Sequence, residues 1–169
     1  MSIPPYVAKL RHLIGSDHLL WLPGVNGVVV DDEDRVLLHR RADNGRWTLI
    51  CGILDPGEQP ADGIVREVWE ETGVLVRVER LTSITVSPMR RYSNGDRAQY
   101  LELTFRCSPI DGEAHVHDDE SVEVGWFRLH ELPELDPDIR ARIERSVVGV
   151  DEVWFQPPSF EVPQSEGVR

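Results

Sequence analysis

Residues 52–74, GILDPGEQPADGIVREVWEETGV, constrain this chain more than any other stretch. Pro56-Gly57 and Glu58 read as a loop, Pro60 suits the first position of a helix, and Gly73 suits a left-handed stop after Thr72. At about 100° per residue, Ala61, Ile64, Val65, Val68 and Trp69 share one broad apolar face, so this helix must lie on a core, with Trp69 inside it. Glu67, Glu70 and Glu71 stand at i, i+3 and i+4, and their carboxylates are expected to gather on the opposite side. Like charges at that spacing destabilise a helix by about 0.2–0.5 kcal/mol per pair. Two readings remain for the trio. It is an ordinary solvated face in which Arg66 pairs with Glu70, or it is a set of hard oxygen donors of the kind Mg²⁺ takes.

The rest of the chain alternates between the two periodicities. After Pro4-Pro5, Val7, Leu10, Leu13 and Ile14 recur at helical spacing and Gly15 is placed to end the segment, giving a helical extension over residues 1–21. Residues 25–30 and 35–40 predict two strands joined as a hairpin across the polar turn 31–34. Trp47 to Cys51 reads as a short strand, residues 74–87 as one or two, 98–107 as another and 122–129 as the last. A polar loop carrying Arg90, Arg91 and the turn pair Asn94-Gly95 lies among them. Pro137 opens a helix with Ile139, Ile143 and Val147 on one face. This order predicts an α/β (α+β) fold, a mixed β-sheet sandwiched between helices, as one domain over residues 1–156 with a flexible tail at 157–169.

Composition narrows the function. A chain of 169 residues can bury a core without disulfides or a structural metal. Cys51 and Cys107 sit in strand-like apolar contexts, expected reduced and buried, which fits a cytoplasmic location. The N-terminus is too charged for a signal peptide, and no apolar run reaches the roughly 20 residues of a membrane span. A net charge of −12 argues against a nucleic-acid polymer as partner. It also repels anionic substrates at long range, unless divalent cations neutralise a local acidic cluster and arginines clamp the phosphates.

The spacing of the central segment resolves the two readings of its glutamates. Gly52, five residues, Glu58, seven residues, then Arg66-Glu67-Val68, Glu70-Glu71 and Gly73-Val74 resembles the signature of the Nudix hydrolase family at every fixed position. The strand WTLI before it, Leu38-His39-Arg40-Arg41, Trp126-Phe127 and Leu132-Pro133 are similar to the family's flanks, over roughly residues 22–135. The resemblance implies a Nudix fold and a Mg²⁺-dependent pyrophosphohydrolase, Mn²⁺ able to substitute. It also implies that Glu67, Glu70 and Glu71 bind the cations and that Glu58 and Arg66 form a salt bridge, with Gly52 and Gly73 as structural box residues. A backbone carbonyl at Cys51 joins the metal set. Family members commonly have Pro-Gly-Gly where this chain has Ile50-Cys51-Gly52, so Cys51 is strained if the position requires positive φ.

In the mechanism so implied, a carboxylate accepts a proton from the attacking water, and Glu67 and Glu120 compete for that role; Glu120 is also a candidate metal ligand. The plainer reading of its loop, His115 to Glu120, is a solvated acidic turn, with His115 and His117 facing solvent on a mobile segment. Arg40, Arg41, Arg46, Arg90 and Arg91 are candidate phosphate clamps, and Trp47, Tyr92 and Tyr100 candidate stacking partners. The substrate expected is a small nucleotide derivative, with a lean to ADP-ribose or nucleotide sugars because Pro88 lies near a proline position of ADP-ribose hydrolases. The alternatives are a MutT-like enzyme acting on (d)NTPs or oxidised nucleotides, and a Nudix module that binds nucleotides without cutting. The N-terminal helix and Val153-Trp154-Phe155 either pack on this domain or build a homodimer.

Overall fold

The structure, a computed structural model, describes residues 3–92, 94–148 and 151–159. Its elements run α1 (Pro5–Ile14), β1 (Leu19–Val29), β2 (Arg35–Arg41), β3 (Trp47–Thr48), β4 (Ile50–Ile53), α2 (Pro60–Thr72), β5 (Leu75–Val86), β6 (Arg90–Arg91), β7 (Arg97–Asp111), β8 (Ser121–Arg128), a 3₁₀ turn (Leu129–Glu131), α3 (Pro137–Val147) and β9 (Trp154–Phe155). A larger sheet has the order β4-β1-β7-β5-β9, with β6 attached to β7, and a smaller one the order β3-β2-β8. The larger sheet is mixed: β1 runs parallel to β7 while β4 and β5 pair antiparallel with their neighbours.

The expected hairpin of residues 25–30 with 35–40 does not form. Only a single bridge, Val30 to Val36, joins the two segments, and β1 and β2 belong to different sheets. Residues Val25–Val29 and Val36–His39 are each buried on both faces. Such runs favour central strands, and each obtains two neighbours in its own sheet, β1 between β4 and β7 and β2 between β3 and β8. The corner between them is built by Asp31, whose Oδ1 accepts from the Glu33 and Arg35 amides and whose Oδ2 accepts from Arg35 Nε at 2.7 Å. β1 also starts earlier than expected, because Leu19 to Pro23 pair in register with Arg97 to Leu101.

Helix α2 lies on one face of the larger sheet. Ile64 and Val68 join Val25, Val29, Ile50, Val76 and Phe105 in the main core. Gly27 permits that approach, since a Cβ there would lie 3.0 Å from the Ile64 side chain. On the other face α3 inserts Ile143 among Val28, Val30, Leu38 and Leu49, as its periodicity predicts. Only Val7 of the α1 apolar positions is buried, against Leu20, Leu22, Ile53 and Tyr100, while Leu13 stays 68% exposed. Trp154 folds back onto its own chain: β9 pairs with β5, and the Arg145 guanidinium lies 3.6 Å from the indole centroid. The tail from residue 160 lies outside the described residues. Among those described, no helix is long and apolar enough to cross a membrane.

Candidate active site

The glutamates of α2 do not form one solvent-facing group. Glu70 is exposed, Glu67 is largely covered, and Glu71 is only 2% exposed. Trp69, expected in the core, is 41% exposed and meets His117 edge-on with centroids 5.1 Å apart. The helical wheel explains both differences. Glu71 lies about 20° from Ile64, at the middle of the buried arc, whereas Trp69 lies about 140° away.

Arg66 organises the rest of the segment. Its Nε and Nη2 donate to the two oxygens of Glu58 at 2.8 and 2.9 Å, and its Nη1 donates to Glu67 at 2.8 Å and Glu70 at 3.1 Å. The second Glu58 oxygen also accepts from the Asp55 amide, so loop and helix close on one guanidinium. These partners hold Glu58 below the usual carboxylate range, the Arg66 hydrogen bond being the largest influence. Arg66→Ala leaves several carboxylates without their cation in a half-covered site and is expected to lower stability by about 2 kcal/mol. The urea midpoint checks this; an unchanged midpoint would show that the pair is a surface ornament.

Gly52 is needed by close approach, because a Cβ there would overlap the Glu67 carboxylate. The neighbouring Cys51 is not strained. It lies in β4, paired with Asn26 of β1, and Asp34 is the one non-glycine residue with positive φ among those described. Burial beside Glu71 pushes its thiol up to about 12, so the side chain is a neutral thiol.

The loop before β8 is strapped onto the C-terminal turn of α2. The His115 and His117 amides donate to the Thr72 and Glu71 carbonyls, and His117 Nδ1 lies 2.8 Å from the Trp69 carbonyl. The two imidazoles are exposed, as expected. The strap carries Asp118 and Glu120 toward Glu71, and Asp118 Oδ1 accepts from the Glu120 and Ser121 amides. Beneath it, His39 Nδ1 lies 2.8 Å from Ser121 Oγ and Nε2 lies 3.3 Å from Glu71 Oε2.

Burial pushes Glu67 up to about 7, against the pull of Arg66, and holds Glu71 well above the usual range, with Glu67, Asp118 and Glu120 adding repulsion. Burial, then Arg41, pushes His39 down to about 4. The glutamates' stabilising contribution is thus present below their unfolded values near 4.5 and is lost as pH rises through about 7. His39 acts in the opposite sense and only below its unfolded value near 6.5. Between pH 6.5 and 8.5 the metal-free protein is expected to lose thermal stability, and added Mg²⁺ to restore a growing share of it. A melting temperature flat across that window, with and without Mg²⁺, would contradict this account.

Among the described residues, no three His, Cys, Asp or Glu side chains already stand together as a metal-holding group. The donor chemistry nevertheless fits a hard divalent cation. The acids outnumber their counter-charges, and Glu71 Oε2 is fully buried without a hydrogen bond.

Two clefts share the edge Cys51-Gly52-Ile53. One is acidic, lined by Asp55, Arg66, Glu67, Glu70 and Glu120. The other is lined by Asn26, Arg90, Tyr92, Tyr100 and Glu102. Arg90 and Tyr92 therefore lie where a substrate clamp is expected. Of the other candidates, Arg40 pairs with Glu123, Arg41 is held bidentately by Asp43, and Arg46 and Arg91 line neither cleft. Trp47 packs edge-on against Phe127 in the α3 core rather than facing a cleft. Sequence reasoning missed His39, Asn26, Asp118 and Glu102. Polar residues inside the strongly apolar runs of β1 and β2 were the available signal for the first two.

The comparisons agree with this geometry. The chain matches the NUDIX domain family over residues 21–147, which brings α3 inside a region first placed at about 22–135. It is similar to a "MutT-like protein" of Streptomyces ambofaciens, 41% identical over 117 residues, covering 69% of this chain and 70% of that one. It is similar also to an "ADP-ribose pyrophosphatase" of Methanocaldococcus jannaschii, 31% identical over 110 residues, covering 63% of this chain and 62% of the relative. Among solved structures, a UDP-X diphosphatase superposes with a TM-score of 0.60 at 26% identity, covering 83% of this chain and 68% of the other. With the box segment, its salt bridge and the family match in agreement, the chain belongs to the Nudix hydrolases, enzymes that act on pyrophosphate bonds.

Proposed function

We propose that this protein is a Mg²⁺-dependent pyrophosphohydrolase that cuts a nucleoside diphosphate joined to a sugar, with ADP-ribose and nucleotide sugars as the favoured substrates. The observation that carries this reading is the pair of clefts meeting along Cys51-Gly52-Ile53. The acidic cleft suits a diphosphate with its cations, and the adjoining one suits a polyhydroxylated group. Asn26 is 4% exposed and places its amide on the wall of this second cleft. Glu102, held by Arg142 and near Arg90, adds a carboxylate to the same wall. An amide and a carboxylate lining one cleft match a sugar diol, which both donates and accepts.

In this reading Glu67, Glu70, Glu71, Glu120 and the Cys51 carbonyl would hold the cation, and Mn²⁺ could replace Mg²⁺. The bound ion would neutralise charge on the phosphate oxygens and lower the pKa of a water. Glu67 or Glu120 would accept the proton of the attacking water, and Arg90 would pair with a phosphate oxygen or a sugar hydroxyl. The named activities of the Methanocaldococcus relative and of the UDP-X diphosphatase support the sugar-linked class. The Streptomyces relative's name supports a MutT-like alternative acting on (d)NTPs.

A mass-spectrometric product screen with Mg²⁺ separates the two. ADP-ribose, nucleotide sugars, dinucleoside polyphosphates and (d)NTPs are offered together to the wild type and to Asn26→Leu. Cleavage of a sugar-linked compound, with KM raised by the variant, is the expected result. Cleavage of (d)NTPs alone would favour the alternative, and binding without cleavage would favour a nucleotide-sensing module.

A further inference from the structure

The His39 side chain is 1% exposed in a strand whose neighbours Val36, Leu37 and Leu38 are wholly buried, so an imidazole there needs a reason. It touches two elements that carry candidate metal ligands. Nδ1 lies 2.8 Å from the hydroxyl of Ser121, the residue after Glu120, and Nε2 lies 3.3 Å from Glu71 Oε2 on α2. Neither Nε2 nor Oε2 has a hydrogen-bond partner, although both are fully buried. Two orphaned polar atoms facing each other in a core are unusual, and they satisfy one another with a small rotation.

We infer that His39 is a positioning residue for Glu71, in which the Ser121 hydroxyl donates to Nδ1 and Nε2–H donates to Glu71 Oε2. This arrangement pins one oxygen of Glu71 inward and leaves Oε1 as the oxygen available to a cation. It also ties the strap bearing Glu120 to helix α2, so that both sets of donors keep one spacing. A partner behind a ligating carboxylate orients it in the way that partners behind ligating histidines do. The inference rests on the reading of the acidic cleft as a divalent-cation site.

Two measurements test it. The first is long-range ¹⁵N NMR of the Mg²⁺-saturated protein, in which a ligating Glu71 is ionised; it reports the tautomer of His39 without reference to activity. A protonated Nε2 with a bare Nδ1 is expected, and Ser121→Ala should reduce the population of that form. The ring also has a backbone hydrogen bond with Leu49, and a protonated Nδ1 donating to that carbonyl would overturn the inference. The second is the Mg²⁺ dissociation constant from calorimetry at one fixed pH. His39→Leu, which suits the apolar surroundings, should keep the fold and bind Mg²⁺ about 10–100-fold more weakly. His39→Gln, which retains a side-chain donor, should recover most of that loss. Equal affinity in wild type and His39→Leu would overturn the positioning role while leaving the cleft reading intact. Absence of Mg²⁺ binding in the wild type would overturn both.

Discussion

Glu71→Gln is expected to lower kcat by about 10³-fold, roughly 4 kcal/mol of barrier, while making the metal-free protein more stable. The two effects have one cause. Glu71 sits at 2% exposure beside Glu67, Asp118 and Glu120, and burial already holds its pKa well above normal. An amide of the same shape removes a charge that the fold accommodates poorly, a change of about 1 kcal/mol, or about 2–4 °C for a chain of this size. The same amide is a far weaker ligand for a hard cation, so the Mg²⁺-induced rise in melting temperature should nearly vanish. Steady-state rates and paired melts with EDTA and with Mg²⁺ measure all three quantities. A variant that is less stable without metal, or one that still gains stability from Mg²⁺, would place Glu71 in the architecture instead of the chemistry.

Gly52→Ala is the second large effect, and it tests position rather than charge. A Cβ at residue 52 overlaps the Glu67 carboxylate, the movable end of a flexible side chain. The backbone of β4, paired with Val25 in β1, has no cause to shift. The variant should therefore fold normally yet displace Glu67 from the cleft, weakening Mg²⁺ binding and turnover by about 10–100-fold. Circular dichroism and a urea melt establish the fold, and calorimetry reads the metal. Unchanged Mg²⁺ affinity would show that Glu67 does not act from the place where Gly52 admits it.

The sequence was most legible where local rules govern. Pro60 and Gly73 bound helix α2 as expected, with Gly73 at φ 68°, and Pro137 opens α3. The Glu58–Arg66 salt bridge, implied by the family resemblance, is present in bidentate form. The hairpin failed because a polar turn between two apolar runs is equally a sheet-to-sheet corner. Burial on both faces of β1 and β2 decides between them, and that depends on β7 and β8, distant in the chain.

The same division runs through the site. The order of residues 52–74 by itself determined the family, the helix and the presence of three carboxylates within two turns, because helix geometry and the box spacing are both local. Only the tertiary structure decided what each carboxylate experiences. Glu70 meets solvent and Arg66, Glu67 fits over Gly52, and Glu71 is driven into the core against His39. Those environments arise from strands and a strap that pack on α2 from far along the chain, and solvation and Coulomb energies follow that packing rather than residue spacing.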